Sequence, residues 1–138
     1  MSTNKILIAG LIGGIILLVA GFIFYGLALT GFYEANMGSA TGVNRAEEDM
    51  VWWAMIVGHL AAGLLLAIIF GRWANISTLQ TGFIAGMVIG LLMGVAYSFI
   101  TFATTNVYNL TITIVDPIVM AVMHGLGGAG VAWYLGRN

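Results

Sequence analysis

Gly82-Phe-Ile-Ala-Gly86-Met-Val-Ile-Gly90-Leu-Leu-Met-Gly94-Val-Ala-Tyr-Ser98 decides how this chain folds. Glycine returns at every fourth position, and Ser98 continues the row. In a helix in water each of those glycines would cost about 1 kcal/mol against alanine. In a bilayer the same row is a flat strip on which a second helix can lie at backbone contact. The stretch therefore reads as a transmembrane helix with the rest of a helical bundle packed around it.

The composition agrees. The chain has 138 residues, 61% hydrophobic and only 7% charged, with a mean hydropathy of +1.05. Soluble domains carry about 25% charged residues, so lipid is the solvent that this surface needs. One transmembrane domain covering 1–138 is expected. The net charge of −1 gives no basic footprint for nucleic acid. The absence of Cys excludes disulfides and thiolate chemistry.

Around the glycine row, three more apolar runs stand out. Ile6–Leu29 carries no charge and is longer than the roughly 20 residues that cross a bilayer. It contains Gly10 and Gly14, a GxxxG pair for helix contact, with Gly21 on nearly the same face. Thr3 or Asn4 is its expected cap. A second span is expected over 51–71, entered through Trp52-Trp53 at the interface. Asn44-Arg-Ala-Glu47 fits a capping box before it, and Ser77-Thr-Leu-Gln80 fits another before the glycine-row span of 80–103. Asp116-Pro117 reads as an N-cap followed by a first-turn proline, opening a fourth span to 136 with Gly125 and Gly128 for close packing. The fold class is thus all-α, an integral membrane four-helix bundle.

Four spans put both termini on one side. Lys5, Arg72 and Arg137 share it, against Arg45 alone in an acidic segment on the other. The positive-inside rule makes both termini cytoplasmic. The second and fourth spans also repeat a pattern: His59, Gly63, Gly71, Arg72 and His124, Gly128, Gly136, Arg137. Matched His and Arg are informative in a chain with two His and four Lys plus Arg. Gly10–Gly14 and Gly82–Gly86 match more weakly, as do Tyr25 and Tyr97. Two tandem helical hairpins in the same orientation, a parallel internal repeat, are the expectation.

His59 and His124 are the ionisable groups expected deep within spans. Each precedes its terminal-side Arg by 13 residues, roughly 20 Å of helix. Each has a Gly four residues on, on the same face. Three roles fit: a hydrogen bond across to a neighbouring helix, proton or ligand handling, or axial ligation of a b-type haem between facing helices. No Asp or Glu is expected inside a span, which disfavours a carboxylate-driven antiporter. Two His are too few for catalytic zinc, and no catalytic or metal site is expected.

In its layout the chain resembles the small, uncharacterised four-helix inner-membrane proteins of bacteria. The carrying features are the Gly-rich first span ending Phe24-Tyr25-Gly26, the Trp52-Trp53 entry and the Gly-rich, His-bearing last span. The resemblance implies a bacterial inner-membrane location and supplies no activity. The leading expectation is a non-enzymatic protein that packs with itself or serves as an accessory subunit of a membrane complex. No cofactor is required by it. The alternatives are haem b bound by His59 and His124, and a small-solute transporter or channel formed by several copies.

Overall fold

The computed structural model describes residues 1–137. It is helical, with α1 (Thr3–Gly21), a short α2 (Thr30–Ala35), α3 (Trp52–Ile68), α4 (Leu79–Thr104) and α5 (Leu110–Leu135). Wide π turns, Phe22–Ala28 and Ile69–Ala74, continue α1 and α3. Four helical stretches are long and apolar enough to cross a membrane: Thr3–Ala28, Trp52–Ala74, Leu79–Thr104 and Leu110–Leu135.

The caps differ from those expected. Ser2, not Thr3 or Asn4, accepts from the backbone of Lys5 at the start of α1. Thr78 caps α4 through the Thr81 amide, one residue later than the Ser77 box implied. Asn44 caps nothing: a single 3₁₀ turn occupies Glu47–Asp49 and α3 begins without a side-chain cap. The fourth span begins upstream of Asp116. Asn109 caps it by accepting from the Ile112 amide at 3.0 Å, so Asp116 and Pro117 lie inside α5. Proline cannot donate to the Thr113 carbonyl there, and one helical bond is given up.

α5, not the glycine-row helix, is the centre. It touches α1, α3 and α4, whereas α4 packs substantially against α5 alone. Of the most apolar window, 56% is buried in α5 and 22% in α4. The row Gly82, Gly86, Gly90, Gly94 and Ser98 is buried, and it holds α4 against α5 at backbone distance. A Cβ on Gly82 would stand 3.1 Å from the carbonyl carbon of Gly128, and one on Gly86 3.1 Å from Gly125 Cα. On Gly90 it would meet His124 Cβ at 2.6 Å, and on Gly94 Pro117 Cα at 2.7 Å. The opposite face, with Ile84, Val88 and Leu92, is apolar and exposed, as a face suited to lipid is. Met87 is not on that face: a Cβ on Gly125 would meet its Cγ at 2.7 Å.

α1 and α3 form the other hairpin by the same device. A Cβ on Gly10 would stand 2.9 Å from Leu64 Cα, and one on Gly14 2.8 Å from Leu60 Cα. One on Gly63 would stand 2.7 Å from Gly14 Cα. Van der Waals packing and weak polar contacts drive such association, because lipid is as apolar as leucine. Ile6, Ala9, Leu17, Leu66, Ala67, Phe70, Val131 and Ala132 fill the remaining core.

At one end of the bundle Arg72 donates to Thr3 Oγ1 at 2.8 Å, Lys5 donates to the Arg137 carbonyl, and Arg137 lies 4.6 Å over the Trp133 ring. At the other end the connection after α1 folds back over the bundle. Gly38 N–H donates to Val107 O at 2.8 Å, Ala40 N–H to Asn106 O at 3.0 Å, and Asn109 Nδ2 to Asn36 Oδ1 at 3.3 Å. The long connection is thereby pinned to the α4–α5 turn and roofs the space beneath it.

Candidate functional site

Under that roof lies a polar cluster that sequence reasoning missed. Asp116 is 5% exposed and belongs to a helix long and apolar enough to cross a membrane. Its Oδ1 accepts from the Tyr25 hydroxyl at 2.8 Å and the Tyr33 hydroxyl at 2.6 Å. Its Oδ2 accepts from Ser98 at 3.1 Å. All three partners are neutral donors, so the carboxylate is well solvated by hydroxyls and has no counter-charge among them. The expectation that no carboxylate stands inside a span is therefore overturned. An aspartate before a proline is a strong local N-cap signal, but here Asn109 already caps the helix and Asp116 turns inward.

Each donor is delivered by a different element. The π turn after α1 carries Tyr25, and such turns recur at functional sites. Short α2 carries Tyr33, whose ring meets that of Tyr25 edge to face at 5.2 Å. Ser98 ends the glycine row, where its small side chain stays buried against α5. Burial, and next its hydrogen bond to Asp116, raises the Tyr33 hydroxyl above the ordinary tyrosine range. Burial and the Asp116 charge push Tyr108 up to about 12. Both hydroxyls outside the spans thus remain neutral across the physiological range.

Three members of the cluster, Tyr25, Tyr33 and Asp116, border a cavity of about 660 Å³. Tyr25, Tyr33, Tyr97 and Tyr108 line it with Asp116, and Met37, Val43, Asn44, Val107 and Met120 complete it. No Lys, Arg or His is in the lining. Arg45, the basic residue at this end, is exposed in the connecting segment.

The two histidines lie beneath. His124 Nδ1 is 2.9 Å from the Met120 carbonyl, and His59 Nδ1 is 2.8 Å from that of Met55. A carbonyl only accepts, so each Nδ1 carries the proton and each Nε2 presents a lone pair when the ring is neutral. His124 is 6% exposed, and its Nε2 is buried with no hydrogen-bond partner. His59 is half-buried. It faces α1 at Gly21, where a Cβ would stand 3.1 Å from His59 Nε2 and 3.3 Å from the Met123 methyl. Among the described residues no group of three His, Asp or Glu stands together to hold a metal ion.

Tyr25 and Tyr33 could be suspected from sequence only as interfacial aromatics. Their target lies 91 and 83 residues away, and no local pattern encodes that. Compared with protein families, curated proteins and solved structures, the chain matches none of them.

Proposed function

We propose that this is a non-enzymatic, multi-pass inner-membrane protein that binds a small polar solute in the cavity above Asp116, as a carrier or receptor does. The observation that carries this reading is the buried Asp116, held by three hydroxyls at the border of an open cavity. Intramembrane ionisable residues are costly and mark substrate or ion pathways. The grouping of Lys5, Arg72 and Arg137 at one end supports cytoplasmic termini, with the cavity facing outward. The two hairpins are read as a tandem repeat. In support, Gly63 meets Gly10 and Gly14 much as Gly128 meets Gly82 and Gly86.

Single-cysteine variants test this cleanly, since the chain has no Cys of its own. Asn44→Cys at the rim and Met120→Cys at the inner wall should react with a small membrane-impermeant thiol reagent added to intact cells. Ile84→Cys, on the lipid face, should not. A Met120→Cys variant that resists the reagent would close the cavity to solutes and end the reading. Reaction of Asn44→Cys only after permeabilisation would reverse the orientation.

A second reading rests on the histidines. Metal-ligating histidines characteristically donate one ring N–H to a carbonyl and ligate through the other nitrogen. His59 and His124 have that arrangement, and His124 Nε2 is buried and unpaired. Haem b between them would satisfy it. Protein purified from haem-replete cells should then show a Soret band that His124→Ala abolishes. A colourless protein that stays so on adding haemin would dismiss haem.

A further inference from the structure

We propose that the solute is an organic ammonium ion, received by the tyrosine faces and the carboxylate of the cavity. The proposal rests on the solute-binding reading above and names the chemistry of its ligand. Four of the cavity's residues are tyrosines, and one is a buried aspartate whose partners are all uncharged. Tyrosine rings attract cations over their faces, more strongly where water is excluded. Tyr25 and Tyr33 meet at an interplanar angle of 66°, so their faces bound two different directions. Their hydroxyls donate to Asp116, which directs electron density back into the rings. Met120 adds a soft, polarisable wall.

The same geometry disfavours the competing ligands. An anion would face Asp116 with no Lys, Arg or His in the lining to receive it. A bare metal ion needs several oxygen ligands at close range. Here three of the roughly four acceptor positions of the carboxylate are taken by hydroxyl donors, and no second carboxylate lines the cavity. An alkylammonium does not need several oxygens at close range. It takes the charge of Asp116 at longer range and its contact from the rings.

Choline and its neutral twin 3,3-dimethyl-1-butanol separate charge from shape. Binding to the intact purified chain in detergent is read by calorimetry and by thermal protection. Choline should bind and protect, with its neutral twin at least about tenfold weaker, a difference within the range of a desolvated cation–π site. Asp116→Asn should lose about tenfold in choline affinity. It remains folded because an amide accepts from both tyrosines and donates to Ser98. Tyr108→Leu should weaken choline without removing the charge, whereas Tyr108→Phe should retain it. If the neutral twin binds as well as choline, the ammonium assignment is wrong and the cavity remains a solute site. If potassium or sodium protects and choline does not, the ligand is a metal ion instead. If no compound binds although Met120→Cys is accessible, the ammonium proposal falls alone. If that cysteine is inaccessible as well, the solute-binding reading falls with it.

Discussion

Leucine at Gly86 should lower the thermal stability of the detergent-purified protein by about 1–3 kcal/mol or more, the usual range for overpacking a filled interface. The cost arises because the obstacle is backbone. A Cβ at Gly86 already meets the carbonyl carbon of His124 at 2.9 Å and Gly125 Cα at 3.1 Å. A side chain cannot rotate away from these atoms, so α4 must separate from α5 along its length. Gly90→Leu should act in the same direction, because His124 Cβ lies 2.6 Å from the position of a new Cβ. Val88→Leu, on the exposed face of the same helix, should be close to neutral. Melting of the Gly86 and Val88 variants at the same temperature would show that the row does not bind α5.

Alanine at Asp116 should be the other large loss, about 2–5 kcal/mol from hydroxyls left without an acceptor, each costing about 1–3 kcal/mol when buried. Ser98 is fully buried and has no water to turn to. Tyr33 is only partly buried, which holds the total below three full penalties. Asp116→Asn should lose far less, since the amide can serve all three partners. The comparison of alanine with asparagine in one melting series is decisive. If both variants match the wild type, the cluster contributes nothing to stability. If asparagine is as damaging as alanine, the charge itself holds the site together. The roof over the cavity should loosen with alanine, because Tyr33 ties α2 to α5 through Asp116.

Several features of this chain follow from the sequence by itself. Four apolar helices are demanded by lipid, which leaves every backbone group to be satisfied within its own helix. Glycine at every fourth position forces close helix contact wherever it meets a partner, so Gly82, Gly86, Gly90 and Gly94 could be read as an interface. The gathering of Lys5, Arg72 and Arg137 at one end follows from four crossings alone.

Which partner the row meets, and which helix is central, were settled only in three dimensions. A glycine strip has no address: α4 uses it to lie on α5 and leaves its other face to lipid, while α5 takes contacts on three sides. Asp116 departs from its sequence expectation for the same reason. Its immediate neighbours encode a helix start, and its inward turn depends on Tyr25, Tyr33 and Ser98, which arrive from three other elements. The sequence could place His59 and His124 at equal spacing from an arginine. Only the packing decided that His124 is sealed against Gly90 while His59 looks toward Gly21. Burial of a polar group is a property of what surrounds it, and those surroundings are assembled from residues far apart in the chain.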